Sequence, residues 1–246
     1  MSEIIAVLPM KGSSKSVPYK SISPVLGRPL CHYSIVEAKK SRLINRLIAF
    51  TGDPKVLEVA RQYGVEVPVL QTRAEEDMDD LVLFQRCLAE LSQQEGYRPD
   101  IVFHLKATSP LRTVADIDGA LQALLDDPAA DSVRGVTDVE LTPFKMYWYR
   151  PDGKYIDYFL REKFPEIFAK FPEPSSVARQ HFPTIIRHVG VVDAVRSSQI
   201  VENNSMSGRN ILPYYVEKLR TASINNPGDV PYVEYLLSRF GRDKDD

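Results

Sequence analysis

The sequence predicts a doubly wound α/β domain with a mostly parallel sheet. Three observations carry that prediction. Residues 3–8 form an almost unbroken apolar run that suits a strand buried on both faces, residues 100–106 form a second, and strand-like and helix-like segments alternate as far as residue 137. Sheets of this kind bind ligands at the carboxyl ends of their strands.

The elements follow in order. After the strand at 3–8 and a Gly/Ser-rich loop, residues 29–40 carry apolar positions at helical spacing, with Pro29 in the first turn. A strand is expected at 43–50, a helix at 54–63 and a short strand at 65–70, which completes βαβαβ order. Residues 79–95 read as a helix, 100–106 as a strand, 114–126 as a helix opened by Thr113, and 132–137 as a strand. The texture then changes, because residues 142–183 are rich in aromatics and prolines with weak periodicity. That stretch is either a covering subdomain or an inserted arm for dimerisation, since aromatic segments serve both purposes. Apolar strand character returns at 184–195, an extended run follows at 211–215, and 230–240 closes as a helix. The whole reads as one domain, 1–246, carrying an inserted arm.

Composition narrows the function. At 246 residues with a net charge of -2, the chain lacks the basic footprint of a nucleic-acid binder. The two cysteines, Cys31 and Cys87, lie in apolar contexts without metal-ligand spacing, so they are expected to be buried thiols of a reducing compartment. No run approaches the ~18 apolar residues of a membrane span. A cytoplasmic protein with no membrane contact is expected.

The chemistry gathers in the loop after the first strand, Lys11-Gly12-Ser13-Ser14-Lys15-Ser16-Val17-Pro18-Tyr19-Lys20. Small residues let backbone N–H groups approach phosphate oxygens, and three lysines can neutralise a triphosphate and its leaving pyrophosphate. It is neither a Walker A loop nor a GxGxxG turn. On composition alone, a solvated lysine-rich loop is the competing reading. His188, beside Arg187, is either an acid/base group or an ordinary strand histidine. The acidic run Glu75, Glu76, Asp77, Asp79, Asp80 is either a cation site or a helix start favoured by the helix dipole.

Four ordered segments resemble the acylneuraminate cytidylyltransferases, the CMP-sialic acid synthetases and their relatives. These are the run from Leu8 to Ile22 followed by Leu26-Gly27-Arg28-Pro29-Leu30; Leu105-Lys106-Ala107-Thr108-Ser109-Pro110-Leu111-Arg112; Arg179-Gln180 with Pro183; and Ile224-Asn225-Asn226-Pro227-Gly228-Asp229. The resemblance implies a Rossmann-like nucleotide-diphospho-sugar transferase (GT-A-like) fold. It implies transfer of CMP from CTP to an acidic, sialic-acid-like (nonulosonic) sugar, with pyrophosphate leaving and Mg²⁺ carried by the nucleotide, in a homodimer. By position, Lys11, Lys15 and Lys20 are the catalytic phosphate-binding lysines. Leu8, Met10, Gly12, Ser13, Ser14, Ser21, Gln71, Lys106 and Ser109 fall at nucleotide-binding positions, and Arg112, Arg179, Gln180 and His188 at acceptor-binding ones, with Arg112 equally read as a structural cation. Asn225, with Ser223 and Asp229, stands at the metal site.

The sequence departs from the family pattern at functional positions. Lys11 replaces an arginine, losing the bidentate fork, and Lys106 replaces a glutamine, losing an acceptor. Ser13 stands for a glycine and Ser21 for an asparagine, while Gln71 lies near an arginine of the pattern. Ser223 and Asn225 stand where the family holds Mg²⁺ with two aspartates, and neutral ligands suit Mg²⁺ poorly. Asp229 is equally placed to cap the last helix. Asp193 falls near a tyrosine of the pattern. These changes leave two alternatives to the cytidylyl reaction: a different base such as guanine, or a nucleotide- or sugar-binding homologue without catalysis.

Overall fold

The computed structural model describes residues 2–14, 17–72, 74–75 and 78–240. Strand β1 (Ile4–Pro9) is buried on both faces, with Ile4 to Leu8 at most 1% exposed. Pro24–Val25 (β2) and Arg28–Pro29 (β3) form a small antiparallel hairpin. This hairpin holds Pro29, so helix α1 (Cys31–Lys40) begins two residues later than the proline suggested. Strand β4 (Arg46–Phe50) and helix α2 (Pro54–Gln62) follow, and Asp53 caps α2 by accepting from the N–H groups of Lys55 and Val56 at 2.9 and 3.3 Å. The strand expected at 65–70 is reduced to two isolated bridges, Ile48 to Glu66 and Thr51 to Leu70.

Helix α3 (Asp80–Glu95) ends on left-handed Gly96, and β5 (Ile101–His104) comes next. Helix α4 (Val114–Asp126) opens with a capping box between Thr113 and Asp116. Strand β6 (Ser132–Asp138) leads to a hairpin of β7 (Tyr147–Tyr149) and β8 (Ile156–Tyr158), then to helix α5 (Pro165–Lys170). The chain returns along β9 (Ile186–Arg196) to α6 (Ser197–Val201), β10 (Ile211–Tyr215) and α7 (Val230–Arg239).

These elements divide into two compact units, Met1–Val136 with His188–Asp246, and Thr137–Arg187. In the first, six strands are ordered β10-β6-β9-β5-β1-β4. β1 is parallel to β4 and β5, β10 is parallel to β6, and β9 is antiparallel to β5. The sheet is therefore mostly parallel. Alternate β1 residues serve two cores: Ile4, Ala6 and Leu8 pack with residues of α1, α2 and α4, while Ile5 and Val7 pack with residues of α3 and α6. Burying one such Leu or Ile side chain contributes about 2 kcal/mol. The chain leaves β1 for β4 on one side and later fills the other side with β5. The crevice at the carboxyl ends of β1 and β5 is thus a topological switch point.

The second unit has its own apolar core of Phe144, Tyr158, Phe168 and Phe182, with Phe164 and Phe171 against it. Its aromatics split between two fates. Trp148, Tyr149, Tyr155 and Phe159 remain 48–76% exposed.

Candidate active site

Two adjoining cavities open at that crevice. One, of about 270 Å³, is lined by Pro9, Lys11, Ser14, Lys20, Ser21 and Thr108 among others. The other, of about 470 Å³, is lined by Arg134, His188, Asp193 and Met206 among others. Asp80, His104 and Lys106 belong to both, which makes them one continuous cleft. Among the described residues its charged lining holds four cations, Lys11, Lys20, Lys106 and Arg134, against two carboxylates, Asp80 and Asp193. An anionic ligand is favoured there. A larger cavity of about 930 Å³, lined by Asp100 and Arg196 among others, sits at the amino end of β5, away from these lysines.

The loop after β1 brings Lys11, Ser14, Lys20 and Ser21 to the cleft. Gly12 packs so closely on Asp53 that any side chain there would collide with the carboxylate. Ser13 is exposed, and Lys15 lies outside the described residues. Leu8 and Met10 have fully buried side chains, so only their main chains can face a ligand. Gln71 is 4% exposed, does not line the cleft, and finds no partner for either amide atom among the described residues.

Ser109 and Arg112 are fasteners, which for Arg112 is the structural-cation reading. Ser109 Oγ donates to the Gly190 carbonyl at 3.0 Å. Arg112, 0% exposed, donates to the carbonyls of Val191, Lys106 (3.0 Å) and Gly190 (3.2 Å) and to Ser34 Oγ at 2.9 Å. A guanidinium enclosed by carbonyls ties the loop after β5 to β9 and α1. It offers no face to an acceptor.

The second half of the cleft is organised by Asp193, 1% exposed on β9. Its carboxylate takes the His188 ring at 2.6 Å, Lys106 Nζ at 2.8 Å and Arg134 Nη1 at 3.1 Å. Burial pushes this carboxyl up, but the His188 hydrogen bond and the Lys106 and Arg134 cations overturn that and hold it well below the usual carboxylate range. Gly190 leaves room for the Lys106 stem, which any side chain at 190 would strike. At the end of β5, His104 packs edge-on to Phe84 with centroids 4.8 Å apart and faces Asp80 across 3.8 Å. Burial pushes its imidazole down to about 4, against the pull of Asp80 and with the help of Lys106.

The metal positions come together but do not fit a protein-held Mg²⁺. The Ile224 N–H bond to the Thr108 carbonyl brings the segment to the cleft. There Asn225 Nδ2 donates to Ser223 Oγ at 3.1 Å, and Lys20 Nζ donates to the Asn225 carbonyl at 3.0 Å. Asp229 Oδ2 accepts from the N–H groups of Asn225 and Asn226 at 2.7 and 2.8 Å, as the capping partner at the start of the last helical segment. Among the described residues no three His, Cys, Asp or Glu side chains gather as a metal-ligand set. A pair of neutral donors beside an ammonium is the wrong chemistry for a hard dication.

Arg179 and Gln180 belong to the second unit, where they line a cavity of about 370 Å³ with Thr142, Phe182 and Pro183 among others. In the acidic run, Glu75 pairs with Arg86 and accepts from Thr72, and Asp80 opens α3. Glu76 and Asp77 lie outside the described residues. Sequence reasoning passed over His104 and Arg134 as site residues, and it met Asp80 only within the acidic run and Asp193 only as a departure from the family pattern. Two of these four carried a signal, since His104 ends the apolar run Ile101-Val102-Phe103 and Asp193 interrupts the run from Val191 to Val195.

The sequence model of the family described as cytidylyltransferase matches residues 5–202. Post-translational flagellin modification protein B of Campylobacter coli is 23% identical over 240 residues, covering 96% of both chains. CMP-N,N'-diacetyllegionaminic acid synthase of Legionella pneumophila is 27% identical over 236 residues, covering 95% of this chain and 96% of that one. Among solved structures, a CMP:2-keto-3-deoxy-manno-octonic acid synthetase complexed with CTP superposes with a TM-score of 0.69 at 16% identity, covering 97% of this chain and all of the other, a likeness of fold. Most of the first unit's sheet and the lysine loop fall within the matched residues, and the chain belongs to the cytidylyltransferase family.

Proposed function

We propose that this chain transfers CMP from CTP to a hydroxyl of an acidic sugar of the nonulosonic or octulosonic class, releasing pyrophosphate. The observation that carries the reading is the cation-rich cleft at the carboxyl ends of β1 and β5, in a chain of this family. The acceptor hydroxyl attacks the α-phosphorus in line, and the bond to the β-phosphate oxygen breaks as the electron pair leaves with pyrophosphate. Lys11, Lys20 and, on sequence grounds, Lys15 stabilise the phosphate charge that develops, with Gly12, Ser13, Ser14 and Ser21 supplying close backbone and hydroxyl contacts. Lys106 lines both cavities, and on this reading it stands between nucleotide and acceptor. Arg179 and Gln180 remain acceptor-side candidates through the resemblance of their segment.

Any Mg²⁺ arrives on the triphosphate, since Ser223, Asn225 and Asp229 offer no carboxylate set of their own. The exposed aromatics of the second unit support a homodimer, and the two unpaired, buried cysteines suit a reducing, cytoplasmic setting. Pyrophosphate release from CTP, UTP, GTP and ATP with a panel of such acids tests the reading. The neutral Ser223 and Asn225 pair favours one alternative, a nucleotide-binding homologue without turnover. That alternative is identified by a melting shift with a nucleotide and no release with any acid.

A further inference from the structure

His188 and Asp193 are five residues apart on β9, a separation that faces side chains to opposite sides of a regular strand. They meet nevertheless, with Nε2 to Oδ1 at 2.6 Å, so the chain departs from regular geometry between them, where Gly190 lies. The result is an imidazole about half exposed to the cleft, backed by a carboxylate with no exposed side-chain surface. With Nε2–H donated to Asp193, Nδ1 is the ring atom left to accept a proton.

We propose that His188 is the general base of the transfer, with Asp193 as the residue that positions it. The inference rests on the transferase reading given above. As the acceptor oxygen forms its bond to the α-phosphorus, the hydroxyl proton passes to His188 Nδ1, and the Pα–O bond to pyrophosphate breaks with its electron pair. The imidazolium that forms is stabilised by Asp193, whose carboxylate stays ionised because Lys106 and Arg134 also face it. The other groups around the ring's cavity are Asp80 from α3 and His104 from β5. His104 is no rival for the role: it is buried against Phe84, and only 6% of its surface is exposed.

The test compares the unaltered protein with His188→Gln and His188→Ala, following pyrophosphate release and the CTP melting shift across pH. Because His188 is half exposed, both variants are expected to fold and to keep the CTP shift. The expected result is a fall in kcat of about 10²–10⁴-fold with KM for CTP nearly unchanged. The decline of activity toward acid pH disappears in His188→Gln, and added imidazole restores part of the rate of His188→Ala. A kcat for His188→Gln within about threefold of the unaltered protein, or a superimposable pH profile, overturns the assignment. If the unaltered protein turns over no triphosphate with any acid, the transferase reading itself fails and takes this inference with it.

Discussion

At the scale of single residues, the cleft stores titratable groups in states that folding imposes. His104 ionises near 6.5 in an unfolded chain but is pushed down to about 4 by burial here. Between those values the unfolded chain binds the extra proton, so the stability this group contributes is present above 6.5 and is lost as pH falls toward 4. The displacement corresponds to at most about 3 kcal/mol. Urea midpoints of the unaltered protein should therefore drop steadily from pH 6.5 to 4, and His104→Gln should flatten that stretch; an equal slope in the variant would contradict the assignment. Asp193 acts in the other titration range, since its depressed carboxyl contributes stability that persists above the ordinary Asp value and is lost in stronger acid. Arg112 shows a different use of charge, because its guanidinium satisfies carbonyls in the middle of β9 and in the loop after β5.

At the scale of elements, the loop after β1 is fixed to α2 through the contact of Gly12 with Asp53, the α2 cap. Gly12→Ala must displace that carboxylate, so it should lose about 1 kcal/mol of stability through the cap and raise KM for CTP by moving the lysines. Urea unfolding and the KM together check this, and unchanged values of both would refute it. Much of this level was legible in the sequence. Helix 114–126 with Thr113 at its start and the strand at 211–215 are found where capping and periodicity put them. The misreadings have local causes. Pro29 is drawn into the β2–β3 hairpin around left-handed Gly27, and residues 65–70 make too few ladder bonds to be a strand. The place of the lysine loop at the carboxyl end of β1 followed from the apolar run before it, while its composition left a solvated loop as the competing reading. The Asp193 cluster could not be read, because it joins residues of β6, β9 and the loop after β5 that only the sheet order brings together.

At the scale of the whole molecule, a reversal of strand order beside β1 makes the crevice, and the second unit supplies an aromatic surface. Trp148 and Tyr149 leave 48% and 76% of their surface uncovered, a cost in water that the proposed pairing with a second copy would remove. Sedimentation at micromolar concentration should give a dimer, and Trp148→Glu combined with Tyr149→Glu should give a monomer; a monomer from the unaltered chain would refute the arm. The cleft's own role is tested most directly by pyrophosphate release from CTP with a nonulosonic or octulosonic acid, run beside UTP, GTP and ATP and with Lys20→Ala as the blank. The account predicts release with CTP and one such acid, at least 10²-fold above the blank. Release from another triphosphate alone, or none despite a clear melting shift with CTP, would contradict it.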